Sequence, residues 1–497
     1  MMDFQQQLTA SVALGRQRMR ERPATANDTC RLRGSKAIGR TLGIIVGALF
    51  LATCADVNRA GKITSPNVLL LIVDDLGDWV GCLDGHPDAR TPNIDALAGA
   101  GVLFTNAHAQ APICNPSRTS LLLGLRPSTL GIYKNEPGFR DVPGLSDRMT
   151  LFEYFAKQGY RTLGTGKIFH DQKTGAKTIQ VMGPTPGQRS PLDVRVRTRA
   201  RRGLWDFGAQ DYDEAEYVDA QCVSWAVERL AEKSDRPFFL TVGLYRPHMP
   251  LYAPRRLFDS GKEVPRRPPI LENDRDDLPP PALALGNELS IGDDWFRKKD
   301  RAVSITKAYL AATTFVDEQI GRLLQALDES AYADNTVIVL LSDHGMQLGE
   351  KENWGKETLW ERSTHVPFIF SFPGGENTVP IDRPVELVSL FPTLVELCGL
   401  RQPVEVDFDG PSLLPLIENP ESCWDHPAIT SLSDNAHTVR TDRWRYIRYA
   451  DGSEELYDHE NDPNEWANLA VDESHKAKLV ELASLLPENA APDAANR

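Results

Sequence analysis

Six consecutive apolar residues, Val68 to Val73 in SPNVLLLIVDD, run directly into Asp74 and Asp75. Branched side chains with no polar alternation leave no face for water, which is how a strand covered on both sides reads. NTVIVLLSDHG repeats the form, with Val337 to Leu341 leading to Asp343 and His344. PFFLTVGLYRPHMP, Pro237 to Pro250, reads as a third strand that ends at His248, and HVPFIFSFPG, His365 to Gly374, as a fourth. Between them, Asn93–Ala100, Thr150–Gln158, Glu216–Lys233 and Ala302–Leu327 space apolar residues at three and four, the helical pattern. This alternation predicts an α/β fold: a mostly parallel central sheet flanked by helices. Ligands of such folds gather at the carboxyl ends of the strands, so the polar residues that end three of these runs are expected on one rim.

The flanks differ in texture. Residues 1–65 read as a polar, arginine-rich leader and then the apolar run LGIIVGALFLA, Leu42 to Ala52. That run is too short to span a bilayer and fits a secretory signal, which predicts export to the periplasm or beyond. LATC, ending at Cys54, resembles a lipoprotein cleavage box and makes Cys54 the expected lipid anchor; plain signal cleavage near Ala55 is the alternative. Residues 66–420 are expected to form the α/β domain. Residues 421–497 are expected to form a small α+β unit, with an antiparallel hairpin over His437–Pro463 turning at Asp451-Gly452 and a helix over Asp472–Leu486. Stretches 173–203 and 260–298, rich in Pro, Arg and Asp, read as long surface insertions. Arg195, Arg197, Arg199 and Arg201 stand two apart in the first, as a solvated loop or as a subsite for a polyanion. The net charge of −14 argues against general nucleic-acid binding. Seven scattered cysteines, with no CxxC pair, give neither a zinc site nor a disulfide scaffold.

CNPSRTSLLLG, Cys114 to Gly124, predicts a short helix, with Pro116 near its start and Gly124 at its stop. Cys114 then stands where free N–H groups and the helix dipole favour an anion, and Arg118 adds charge one turn in. Asp74, Asp75 and Asp343, three carboxylates at two strand ends, repel unless a cation lies among them, and oxygen ligands suit Ca²⁺ or Mg²⁺ rather than zinc. GTGKIFH supplies Lys167 and His170, RPHMP supplies His248, and ENWGKETLW supplies Lys356. Such a set suits a tetrahedral oxyanion ester.

The C-x-P-S-R signature with its leucine-rich tail, the strand-end VDD, the SDHG and their order resemble the type I sulfatases, whose fold is alkaline-phosphatase-like. The resemblance covers nearly all of residues 65–470. GKIFH, RPHMP and THVPFIF look most like the iduronate-2-sulfatase branch and its bacterial relatives, although Met346 stands where that branch commonly has a large aromatic. The resemblance implies hydrolysis of a sulfated carbohydrate, with Cys114 converted to formylglycine by a maturation enzyme. It also implies that the hydrated aldehyde attacks sulfur and later releases sulfate as the aldehyde returns. By the same resemblance Asp74, Asp75, Asp343, His344 and modified Cys114 hold the cation, usually Ca²⁺. Arg118 and Lys167 hold the formylglycine hydroxyls, His170 takes the hydroxyl proton, and His248 and Lys356 grip the sulfate and assist the leaving group. A phosphoesterase or phosphonate hydrolase of the same fold is the rival enzyme reading, and a carbohydrate-binding protein with a dead site is the non-enzyme one.

Overall fold

The computed structural model describes residues 65–185, 206–261, 263–285, 295–296, 301–375, 379–403 and 407–496. The apolar run Leu42–Ala52, Cys54, and Arg195 to Arg201 lie outside the described residues.

A seven-stranded sheet forms the centre. Its strands are β1 (Asn67–Val73), β2 (Val102–Phe104), β3 (Arg161–Gly166), β4 (Val181–Met182), β5 (Phe238–Leu244), β6 (Thr336–Ser342) and β7 (Phe368–Ser371), in the spatial order β2-β7-β6-β1-β5-β3-β4. β6, β1, β5, β3 and β4 are mutually parallel, and β7 runs antiparallel to both of its neighbours. The unbroken apolar run of β1 has a plain cause. Val68, Leu70 and Ile72 face one core and Leu69, Leu71 and Val73 face the other, all fully buried. Each such side chain favours the fold by ~1.5–3 kcal/mol relative to exposure.

Helices cover both faces. α1 (Pro92–Gly99), α4 (Val218–Leu230) and α5 (Arg301–Asp328) supply apolar residues to the Leu69 side. α2 (Cys114–Leu123), α3 (Leu151–Lys157) and α6 (Leu390–Leu397) supply the Leu70 side. α3 starts with a capping box, in which Thr150 and Glu153 satisfy each other's backbone N–H. α2 ends as expected at Gly124, which adopts φ +70° and donates its N–H to the Ser120 carbonyl at 2.8 Å.

Two expectations need correction. The stretches 173–203 and 260–298 are not simply surface insertions. Val181–Met182 is the edge strand β4, and Leu278 and Ala282 are buried against Leu359, Trp360 and Tyr457. Phe296 stacks on Trp354 with centroids 4.5 Å apart. Pro- and Arg-rich composition concealed these few apolar anchors. The RPHMP run is also not strand. β5 stops at Leu244, and His248 lies in the turn beyond it, its N–H bonded to the Tyr245 carbonyl.

The C-terminal sheet has four antiparallel strands, β8 (Ala428–Ser433), β9 (Ala436–Arg440), β10 (Trp444–Arg448) and β11 (Glu454–Asp458). The expected turn at Gly452 joins the last two, with φ +86°. α7 is shorter than expected, Lys476–Ala483, because 3₁₀ turns occupy Leu469–Val471 and Glu473–His475 before it. One sheet face packs on α7 through Val439, Tyr446 and Leu456, and the other packs on Leu359 and Trp360 of the α/β body.

Candidate active site

The parallel strands β6, β1, β5 and β3 end side by side, and their next residues supply the polar groups. Asp74 N–H bonds the Leu244 carbonyl and Asp343 N–H bonds the Val73 carbonyl, so the strand ends are stitched beyond the sheet proper. At the third junction Lys167 N–H meets the Gly243 carbonyl at 3.0 Å. A Cβ on Gly243 would stand 2.1 Å from the Lys167 carbonyl oxygen, and one on Gly166, itself at φ +75°, 1.9 Å from the Gly243 carbonyl oxygen. Only glycine at both positions lets these two backbones touch.

The thiol of Cys114 enters this rim from the first turn of α2 and is 1 % exposed. Its Sγ lies 3.1 Å from Lys356 Nζ, 3.3 Å from His344 Nε2 and 3.4 Å from Lys167 Nζ, and His170 also hydrogen-bonds it. Burial alone would raise the thiol pKa. Lys167, Lys356 and His344 outweigh it and hold the pKa well below the usual thiol range. Burial likewise opposes ionisation of Asp74, yet Lys167, His248 and Arg118 keep its carboxyl below the ordinary range. Lys356 Nζ donates to Asp75 Oδ1 at 2.6 Å.

Arg118 is fully buried and spends its donors on protein. Nε reaches Asp343 Oδ2 at 2.8 Å, one terminal nitrogen reaches Asp74 Oδ1 at 3.1 Å, and the other reaches the carbonyls of Lys167 and Ile168. It therefore ties three strand ends to α2. His248 stands slightly further out, its Nε2 4.0 Å from Asp74 Oδ2 and 3.9 Å from Asp75 Oδ2.

Asp74, Asp75, Cys114 and His344 each offer one ligand atom, all within 4.8 Å of one another. Asp343 sits beside them, Oδ2 3.6 Å from His344 Nε2 but engaged by Arg118. Two observations fit a metal here. Asp75 Oδ2 is buried with no hydrogen-bond partner. His344 Nδ1 donates to the Gly345 carbonyl at 3.0 Å, which turns Nε2 toward the cluster as the ring nitrogen that a cation could take. Carboxylates with one imidazole suit a divalent cation.

The ten residues expected from the sequence thus converge on one rim. Three structural supports escaped that reading. Tyr309, on α5, donates its hydroxyl to the Asp75 carbonyl at 2.8 Å and accepts from Gly77 N–H at 3.1 Å. Ser342 Oγ lies within 3.0 Å of the carbonyls of Val73 and His344 and accepts from Leu76 N–H. Ser117 Oγ donates to the Asp343 carbonyl. Ser342 left a faint trace, a hydroxyl closing an apolar strand; Tyr309 looked like any buried aromatic of a long helix.

The fold is that of an alkaline-phosphatase-like hydrolase. The phosphonate monoester hydrolase of Agrobacterium radiobacter superimposes with a TM-score of 0.68 at 25% identity, over 84% of this chain and 94% of that one. The sulfatase family matches residues 66–400, and the C-terminal family of N-sulphoglucosamine sulphohydrolase matches residues 349–491. A sulfatase of Formosa agariphila is 40% identical over 452 residues, 87% of this chain and 89% of that protein. Iduronate 2-sulfatase of Homo sapiens is 33% identical over 420 residues, 73% of this chain and 74% of the human protein. The chain belongs to the sulfatase family and is a sulfuric ester hydrolase.

Proposed function

We propose that this protein is an exported sulfatase that removes a 2-O-sulfate from a uronic acid, or a closely similar sugar, at the end of a sulfated carbohydrate chain. The observation that carries the chemistry is the setting of Cys114: a buried helix-start thiol flanked by two ammonium groups and two carboxylates. The uronate rests on the likeness to iduronate 2-sulfatase, and export on the run Leu42–Ala52, with Cys54 as a lipid anchor.

Cys114 is the site of conversion to formylglycine by a maturation enzyme, and the hydrated aldehyde supplies the attacking oxygen and a route to release sulfate. Asp74, Asp75, Asp343 and His344 would hold a divalent cation, Ca²⁺ by its oxygen-rich ligand set, which withdraws electron density from that oxygen and screens the sulfate. The remaining work belongs to side chains. Lys167 neutralises charge beside Cys114, and Arg118 fixes Asp74 and Asp343 in place. His170, hydrogen-bonded to Cys114, is placed to take a proton from its modified form. Lys356 and His248 flank the outer side, where they hold sulfate oxygens and where charge develops on the departing sugar oxygen.

Two measurements test this. Peptide mass spectrometry, on protein from a host with the maturation enzyme, should find the Cys114 peptide lighter by the thiol-to-aldehyde exchange. Full activity with an unmodified thiol overturns the mechanism. Turnover of 2-O-sulfo-uronate disaccharides should exceed that of 6-O-sulfo-hexosamines, sulfated galactans and phosphonate monoesters. Preference for a phosphonate ester would favour the activity of the Agrobacterium radiobacter structure instead.

A further inference from the structure

His248 sits in a turn, not on a strand, so something must fix its imidazole against the rim. The turn is tied at its two ends by two buried charged side chains, Asp219 and Arg246. Asp219, in the first turn of α4, is fully buried, and its Oδ1 accepts the Tyr245 N–H at 2.6 Å. It also accepts the backbone N–H of Arg246. The Arg246 guanidinium is fully buried too. Its Nε donates to the Tyr252 carbonyl at 2.9 Å, on the far side of the turn. Tyr252 is anchored in turn, its hydroxyl donating to Asp206 Oδ2 at 2.6 Å. Inside the ring so closed, His248 N–H bonds the Tyr245 carbonyl, and Nδ1 lies 2.6 Å from the Met249 carbonyl, which directs Nε2 toward Asp74 and Asp75.

We propose that Asp219 and Arg246 are positioning residues for His248, two buried charged side chains whose hydrogen bonds to the backbone at either end clamp residues 245–252 so that Nε2 meets the leaving-group oxygen. A turn this deeply buried could be held by neutral hydrogen bonds at less desolvation cost. An arginine reaching from one end of the turn to the carbonyl at the other gives what those bonds lack, a fixed span across it. The inference rests on the role given to His248 under the proposed function.

The test uses leaving groups. An ester with a good leaving group, such as 4-nitrophenyl sulfate, needs no proton, whereas phenyl sulfate and sulfated sugars do. Asp219→Asn, with Asp219→Asn/Arg246→Met as a charge-balanced second variant should the first not fold, is compared with His248→Ala and with the combination of both changes. Misplacement by about an ångström costs on the order of a hundredfold, so kcat on phenyl sulfate and on the sulfated sugar should fall ~10- to 100-fold. On 4-nitrophenyl sulfate it should fall several-fold less than on phenyl sulfate, because only the grip on sulfate oxygens is weakened there and no proton is needed. Adding Asp219→Asn to His248→Ala should cost nothing more. An equal loss on every ester, or a further loss on top of His248→Ala, would overturn the clamp. Equal loss on every ester in His248→Ala itself would overturn the role of His248, and the clamp with it.

Discussion

Two of the buried charge clusters among the described residues are finished differently. At the sheet rim, Asp74, Asp75 and Asp343 converge with Lys167, Lys356 and Arg118, yet one carboxylate oxygen, Asp75 Oδ2, has no donor. At the junction between the α/β body and the C-terminal sheet, Glu361 and Glu465 meet Arg440, Arg445 and His459. There Glu361 Oε2 receives both arginines, Glu465 Oε1 faces Arg445 at 2.6 Å and His459 at 3.0 Å, and Glu465 Oε2 accepts the Glu361 N–H at 2.9 Å. Glu361, His459 and Glu465 could by proximity alone hold an ion. The arginines already fill that place. Arg445 Nε, 2.6 Å from Glu465 Oε1, is not aligned for a hydrogen bond, so the contrast lies in the carboxylates: where arginines engage them they hold pieces of chain together, while an unpartnered carboxylate oxygen has capacity left for a cation.

The sharpest way to break this contrast is Cys114→Ala. Turnover of sulfate esters should fall by at least about 10⁴-fold while the unfolding midpoint stays near that of the parent. A large loss of stability would mean that the rim, too, is structural. Asp75→Ala should come next, losing turnover together with metal retained after dialysis, with Ca²⁺ the ion recovered from the parent protein. Stoichiometric zinc in the parent, with activity surviving calcium chelation, would contradict the assignment.

The junction should answer in the opposite way. Arg445→Met removes the fully buried cation that Glu361 and Glu465 share, leaving them Arg440 and His459, and should cost ~3–5 kcal/mol in denaturant unfolding. kcat per folded molecule should change far less than the stability does. Smaller again is the effect of acid. Burial would raise the Glu361 and Glu465 carboxyls, but the arginines beside them hold both below the ordinary glutamate value of 4.5. A depressed folded-state pKa contributes stability above 4.5 that is lost as pH falls through the lower folded-state value. Stability should thus decline as pH falls below 4.5, and less steeply in Arg445→Met. The smallest change expected is Thr150→Ala, which removes the α3 cap and touches neither cluster's hydrogen bonds, and should cost about 1 kcal/mol with no kinetic effect.

The rim was legible because its signal is local. An apolar run ending in two acids needs no partner to be read, and Gly124 marks the end of α2 by itself. The junction was illegible for the opposite reason. Glu361 and Arg445 lie 84 residues apart, and a charge in a short alternating strand reads as solvent-facing. Arg445 turns inward only because the sheet is covered on both faces. The same holds for Asp219 and Arg246. An acid in the first turn of a helix looks like ordinary dipole compensation until the turn that it binds comes into view.

The Asp75 N–H and its acceptor Asp343 Oδ1 are 268 residues apart in the chain. At a synthesis rate of roughly 5–20 residues per second, roughly 13 to 54 s separate their departure from the ribosome. Strand β6 enters the sheet between β1 and β7, so the growing polypeptide cannot close its centre until that delay has passed. Cys114 and Lys167 wait through it with half of their surroundings not yet made. Any release of the chain before His344 leaves a molecule whose helices can form but whose chemistry cannot begin.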